Sequence, residues 1–237
     1  MKKYLVFILL LAMVGYLMPV LADTNYQTVT FSQNWSNVGL ITIDDDWSGV
    51  SGIMGYRGDN GTAPTGVDPQ TVLIDLSGVI DVNANRSDPD LFITGGVAEF
   101  DGITDPVVAL NGSGTADAPN IVIFINATGY QNINISYNLR DIDGSVDNST
   151  QQVALQYRIG ESGDYTNVSA GYVADASDGP SLTKVTPISV ELPGAVNNQS
   201  QVQIRIITTN AVGNDEWIGI DDISVTGVSK IEDWILY

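Results

Sequence analysis

Adjacent carboxylates inside an apolar run are a combination that a folded chain must supply with partners. In GNDEWIGIDDISVTG, residues 213–227, the strand formers Trp217, Ile218, Ile220, Ile223 and Val225 flank Asp221 and Asp222. Acids are depleted in strands, and an unpaired buried charge is costly. With Ile218 and Ile220 facing a core, strict alternation turns Asp222 inward and Ile223 and Val225 outward, so the apolar phase reverses across the acid pair. Either the strand is covered on both faces or a bulge resets it. The partners available to an inward carboxylate are Arg140 or Arg205, backbone N–H groups, Tyr or Trp donors, or a cation.

Two further acidic stretches could share such a cation. TIDDDW places Asp44, Asp45 and Asp46 at the end of an apolar run, and RDIDGSVDN places Asp141, Asp143 and Asp147 after Leu139. Ca2+ takes six to eight oxygens from carboxylates and carbonyls. The candidate ligands are Asp215, Glu216, Asp221, Asp222, Asp44, Asp46, Asp141 and Asp143. The alternative for each stretch is a solvated loop or an Asx turn closing a hairpin. The spacing D-x-D-G-x-x-D is not that of an EF-hand loop, whose glycine stands sixth.

The chain has no histidine and no cysteine. That removes Ser-His-Asp triads, thiol nucleophiles, disulfides and ordinary zinc sites. An enzyme built from what remains would use paired carboxylates, as in glycoside hydrolysis, about 5–10 Å apart in a cleft. Glutamates are scarce, and Glu99 and Glu216 are the pair such a reading would use. With 28 acids against nine Lys and Arg, the surface lacks the cationic clusters that phosphate binding requires, so nucleic acid is not an expected partner.

The elements that must carry these residues are strands. NINISYNLRD alternates Ile133, Ile135, Tyr137 and Leu139 with polar residues, and QVALQYRIG and QVQIRIITT repeat the pattern. Further apolar runs lie at 26–31, 39–43, 52–57, 71–75, 91–94, 97–100, 107–110, 121–125 and 188–192. Gly, Pro, Asn and Asp separate them at the spacing of a sandwich or barrel. IVIFI, apolar on both phases, belongs mid-sheet. The expectation is one all-β domain, a two-sheet antiparallel β-sandwich of about a dozen strands spanning 23–228, with a tail at 229–237.

The first 22 residues read as a secretory signal peptide: Lys2 and Lys3, an apolar run from Tyr4 to Met18, and Val20 and Ala22 before the cleavage point. The run is short for a spanning helix, so no membrane span is expected after cleavage. The expected location is extracellular, secreted or on the cell surface. Nine N-x-[ST] sequons open at Asn34, Asn60, Asn85, Asn111, Asn126, Asn134, Asn148, Asn167 and Asn198, where chance would give about three. The excess implies an N-glycosylated surface. Sugars stack on aromatic faces, and the aromatics that could offer one are Trp35, Trp47, Tyr56 and Tyr172. Trp35 and Trp47, beside Asn and Asp in loop-like contexts, are expected at the surface as glycan contacts.

DEWIGIDDISVTG resembles the closing strand of MAM-type and related concanavalin-like jelly rolls, which often end in an (I/L)DD(I/F)S(V/L) run. VALQYRIGESGDYTNV, residues 153–168, is similar to a stretch of the secreted jelly-roll modules found beside extracellular nucleases and in anchored surface proteins of bacteria and archaea. Tyr165 stands there where an aromatic is usual, and ISYNLRDID resembles the preceding strand. The resemblance covers roughly residues 26–228. It implies a jelly roll, a non-catalytic role, and Ca2+ at the acid-bearing end. The functional expectation is a secreted or surface-displayed module for adhesion, glycan contact or surface structure, with cell-surface glycans or surface proteins as partners. The alternatives are a carboxylate-dependent extracellular hydrolase and an accessory domain of one.

Overall fold

The computed structural model describes residues 24–59, 65–146, 149–179 and 181–230. The signal-peptide segment, the sequons at Asn60 and Asn148, and the tail beyond Lys230 lie outside the described residues. Thirteen strands run in chain order: β1 (Gln27–Thr28), β2 (Phe31–Gln33), β3 (Ile53–Tyr56), β4 (Asn83–Arg86), β5 (Gly96–Phe100), β6 (Val107–Asn111), β7 (Asn120–Asn126), β8 (Tyr130–Asp141), β9 (Val153–Ile159), β10 (Thr166–Asn167), β11 (Val185–Glu191), β12 (Val202–Thr208) and β13 (Ile218–Ser229). Four short 3-10 turns complete the set, and the described residues contain no α-helix.

The strands form two sheets. One has the order β1-β7-β12-β9-β10 with β3 beside β7; the other has the order β11-β8-β13-β6-β5-β4 with β2 beside β13. Their inner faces enclose Ile121, Ile123, Ile125, Ile204 and Ile206 from the first sheet and Ile133, Ile135, Tyr137, Leu139, Ile220 and Ile223 from the second, all buried. The sandwich is as expected, but the sheets are mixed. β1 pairs with β7 in parallel and β4 with β5 in parallel.

Three apolar runs expected as strands are not strands. At 39–43 the chain turns (Leu40 N to Asn37 O, 3.3 Å), with Ile41 plugging the core and Ile43 outside. At 71–75 the carbonyls of Val72 and Ile74 accept from the Arg205 guanidinium instead of a neighbouring strand. At 91–94 an Asp88-capped turn through Pro89 leaves Leu91 and Ile93 exposed. The run at 26–31 is broken at Thr30, whose φ is +83°. β4 and the short β10 arise where no strand was expected.

The phase reversal in β13 is a bulge. Asp221 sits opposite Asn138 but Ser224 opposite Ser136, so Asp222 and Ile223 together face Tyr137. Asp222 takes φ +50°, a left-handed conformation that Asp tolerates better than most residues. The extra residue returns Ile223 and Val225 to the core and leaves Asp222 exposed. It also marks a change of neighbour, since β6 pairs with 218–220 and β2 with 223–225. At that junction the Trp35 indole N–H donates to the Ile220 carbonyl at 2.7 Å.

Trp35 and Trp47 are therefore not surface residues. Trp35 is 3% exposed and Trp47 fully buried, and their rings meet edge to face at 6.5 Å. Their polar neighbours belong to turns, and the rings plug the sandwich. Replacing Trp35 with Phe keeps most of the apolar contact but strands the Ile220 carbonyl. Urea unfolding should show a loss of about 1–3 kcal/mol, the cost of an unsatisfied buried acceptor.

Candidate functional site

The acids singled out from the sequence fall into three separate places. Asp221 lies buried on the outer face of the seven-stranded sheet, one row from Arg140. The guanidinium Nη1 donates to Asp221 Oδ2 at 2.6 Å and also pairs with Asp105 at 3.1 Å. Asp222 N donates to Asp221 Oδ1, and Asp222 Oδ2 accepts from Asn138 Nδ2 at 3.0 Å. Of the two arginines considered from the sequence, Arg140 is the partner. Arg205 lies in the other sheet.

Asp44, Asp45 and Asp46 form the second group. Asp44 Oδ1 accepts from Ala84 N at 2.8 Å and Asp45 Oδ1 from Val82 N at 3.2 Å, and Asp46 closes a turn on Ser48 N. Glu99 Oε2 accepts from Asn85 N at 3.2 Å. Side-chain carboxylates thus occupy backbone donors along β4 and its approach. Asp81, just before it, accepts from Val97 N at 2.7 Å. That approach requires Gly96, because a Cβ there would stand 2.1 Å from Asp81 Oδ2.

The third group surrounds the end of the sandwich where β8 stops and β13 begins. A cleft of about 320 Å³ there is lined by Asp90, Asp143, Asp215, Phe92, Trp217 and Asn111, among others. Trp217 stacks on Phe92 and donates its indole N–H to the Phe92 carbonyl at 2.8 Å. Each acid serves a backbone amide. Asp141 accepts from Asp143 N and Asp178 N, Asp143 from Ser145 N, Asp215 from Ala211 N and Glu216 from Ser149 N. Among the described residues no three acids gather as a metal-ligating group.

Glu99 and Glu216 do not converge. Glu99 is in register with Val108, and Val108 with Ile220. Glu216 lies four residues before Ile220, about 13 Å along the strand and two strands across, so the two backbones are roughly 16 Å apart. Their carboxylates are held by different backbone amides, Glu99 by Asn85 N and Glu216 by Ser149 N.

A different site emerges on the outer face of the six-stranded sheet. Gln203 is in register with both Phe124 and Arg158. Gln156 and Arg205 form the next row. A strap through residues 67–76 covers this face. Arg205 Nη1 and Nη2 donate to Ile74 O and Val72 O, and Gln156 Nε2 donates to Pro69 O and Val72 O. The guanidinium carbons of Arg158 and Arg205 lie over the Tyr165 ring, 4.5 and 3.8 Å from its centroid. Burial lowers the Arg205 pKa to about 10 and raises that of Tyr165 to about 12.

Beside the strap a cleft of about 300 Å³ opens between Tyr26, Tyr56, Ser77, Arg158, Glu161 and Gln203. Tyr26 is half-buried. Its ring packs edge-on against Phe124 at 5.6 Å and its hydroxyl accepts from Gln203 Nε2 at 3.1 Å, so its orientation is fixed. Arg158 is held by Asp75 and by Gln203 Oε1. The cleft thus offers aromatic edges and faces, an amide, a guanidinium, a hydroxyl and a carboxylate. Tyr56 lines it as a largely buried ring, whereas Tyr172, half-buried, bonds to Gln152 elsewhere. The local sequence signal for this site is the outward phase of two neighbouring strands, Gln156 and Arg158 in one and Gln203 and Arg205 in the other. Long amide and guanidinium side chains on a strand's outer face announce a cover.

The sequon asparagines divide by burial. Asn111 is buried and donates Nδ2 to Asp215 O at 3.2 Å, so it is not the surface residue expected. Asn34, Asn85 and Asn198 are exposed, and Asn126, Asn134 and Asn167 are half-buried.

The sequence matches no protein-family model and no curated protein. Among solved structures, the K3 cleaved adhesin domain of Lys-gingipain from Porphyromonas gingivalis aligns over 83% of this chain and 96% of its own, with 9% identity and TM-score 0.43. A carbohydrate-binding module specific for non-crystalline cellulose aligns over 60% and 88%, with 8% identity and TM-score 0.37. A family 11 carbohydrate-binding module from Clostridium thermocellum, in complex with a mixed-linked tetrasaccharide, aligns over 58% and 85%, with 11% identity and TM-score 0.33. These are β-sandwich likenesses. No helix among the described residues is long and apolar enough to cross a membrane.

The acids carry a pH signature. Burial raises Asp81, Asp141 and Asp215 to about 6 and Glu99 to about 7, and it raises Asp143 and Asp221 as well. A raised folded-state pKa means the native state holds protons that the unfolded chain has lost. The stabilising contribution is complete below the ordinary carboxylate pKa of about 4 and disappears as pH rises through 6 to 7. The Ser48 hydroxyl and amide hold Asp46 below its ordinary value. For Asp75 burial pushes upward, but bonds from Arg158 and Ser77 outweigh it and hold it low. Those two lose their contribution only as pH falls below about 4. Calorimetry should therefore place the highest melting temperature near pH 5, with a decline toward pH 8.

Proposed function

We propose that this chain is a non-catalytic extracellular β-sandwich module that contacts neutral glycans through the tyrosine cleft. The observation that carries the reading is the fixed half-buried ring of Tyr26 at the edge of a polar cleft. Sugars present apolar C–H faces and hydroxyl edges, and a few placed polar groups beside an aromatic surface serve both. The role is adhesion or surface structure, and the signal-peptide layout of residues 1–22 supports export. The hydrolase alternative would draw on Glu99 and Glu216, and each of these already accepts from a backbone amide.

The test is a glycan array followed by calorimetric titration, using protein made in a host without N-glycosylation. Tyr26→Ala should weaken binding at least tenfold, about 1.4 kcal/mol, while the melting temperature moves by less than about 3 °C. Undiminished binding in that variant would remove the cleft from the function.

Calcium at the acidic end was expected from the sequence. The carboxylates there already accept from backbone amides, and a cation would have to displace those bonds. Melting temperature should be the same in millimolar Ca2+ and in chelator. A rise of several degrees with Ca2+ would show that the folded state binds the cation.

A further inference from the structure

The geometry points to N-glycan attachment at Asn34, Asn126, Asn134 and Asn198, and to none at Asn111 and Asn167, with three of the four sugars, those on Asn126, Asn134 and Asn198, toward the end of the sandwich where the described chain enters and leaves. The atom modified in an N-x-[ST] sequon is Nδ2. It attacks C1 of a sugar carried on a lipid pyrophosphate; the N–C1 bond forms and the C1–O bond breaks. The lipid pyrophosphate leaves with the electron pair, and one amide proton passes to the transferase's base.

Such a reaction needs an Nδ2 that faces solvent and a folded state with room for the product. Asn34 is exposed and uses only Oδ1, which accepts from Ser36 N and Oγ of its own sequon. Asn198 is exposed, and its Oδ1 accepts from Gly129 N. Asn126 and Asn134 are half-buried, and they too use only Oδ1, toward Thr128 N and Ser189 Oγ. Among the described residues the Nδ2 atoms of these four make no hydrogen bond. Asn111 and Asn167 are the opposite case. Asn111 is buried with Nδ2 on Asp215 O, and Asn167 donates Nδ2 to Gln70 O at 2.7 Å while its Oδ1 accepts from Gln156. A sugar on either would have to displace the Asp215 loop or the strap. Asn85, exposed with Nδ2 on Thr42 O, belongs to neither group.

Asn34 follows β2 and lies beside Asp222, midway along β13, but the other three permitted sites share one end. Asn126 ends β7 beside Thr28. Asn198 bonds the turn that starts β8, and Lys230 N donates to Gly129 O in the same turn. Asn134 is four residues further along β8. The acidic cleft lies at the far end of β13, twelve residues long, or about 35 Å away. Leu91 and Ile93 are exposed there. Asn126 also lies two residues beyond Phe124 on the same face, next to the tyrosine cleft, so its glycan borders that cleft.

The full chain is to be secreted from a host that N-glycosylates, and the folded monomer mapped by enzymatic deglycosylation in heavy-oxygen water and peptide mass spectrometry. Occupancy at three or more of Asn34, Asn126, Asn134 and Asn198, with Asn111 and Asn167 unmodified, is the expected result. A glycan on Asn111 or Asn167 in folded monomer, or occupancy at fewer than three of the four, overturns it. In unglycosylated protein, Asn111→Gln and Asn167→Gln should each lower the melting temperature by at least about 3 °C, and Asn134→Gln by less than about 2 °C. The reverse order would also overturn the assignment.

Discussion

A chain with 28 acids and nine Lys and Arg cannot neutralise its carboxylates with side-chain cations. The structure depends on a different acceptor–donor balance, in which carboxylates accept from backbone N–H groups that no strand or turn otherwise satisfies. Asp44, Asp45, Glu99 and Asp81 do this around β4. Asp141, Asp143, Asp215 and Glu216 do it where β8 and β13 meet the end loops. Buried backbone donors left unpaired would each cost free energy comparable to a lost hydrogen bond, so these acids position loops that have little apolar surface of their own. Burial opposes the charge that the amide bonds favour and raises the pKa values of Asp81, Glu99, Asp141, Asp143 and Asp215.

The same balance explains what the sequence revealed and what it hid. β8, β9 and β12 were legible because their core and outer residues alternate, and the phase reversal across Asp221 and Asp222 was legible too, but the choice between a bulge and a strand covered on both faces needed the register of β13 against β8. The runs 39–43, 71–75 and 91–94 misled because their apolar side chains do fill or fringe cores while their backbones bond elsewhere. Val72 and Ile74 give their carbonyls to Arg205, and Phe92 gives its own to Trp217. β4, with the sequence NANR, carries no apolar alternation and is a strand only because remote carboxylates and β5 satisfy it. Trp35 and Trp47 sit among polar turn residues, and nothing local shows that they point into the sandwich.

The tyrosine cleft was invisible for a related reason. Its walls come from residues 26, 56, 77, 158, 161 and 203, which register alone brings together. Phe124, Gln203 and Arg158 share one row only once β12 is known to lie between β7 and β9. The outward Gln and Arg of β9 and β12 were readable as polar strand faces, but the strap and Tyr165 that convert that face into one wall of a cleft lie far away in sequence.

The treatment of the arginines completes this logic and bears on what the cleft accepts. Arg205 is fully buried and its hydrogen bonds go to carbonyls and to Gln156, while Arg158 is taken up by Asp75, Gln203 and the Gly163 carbonyl. The backbone therefore acts as counter-group for cations as well as for acids. Little positive potential is left to face solvent, and the Arg158 guanidinium at the cleft wall has its donors committed before any ligand arrives. Glu161 adds a negative charge to the cleft lining. A phosphorylated or sulfated ligand would meet net repulsion there without a free cation to offset it. A neutral sugar needs only a ring to stack on and dipoles to bond, and those the cleft supplies without disturbing the pairing that holds its walls.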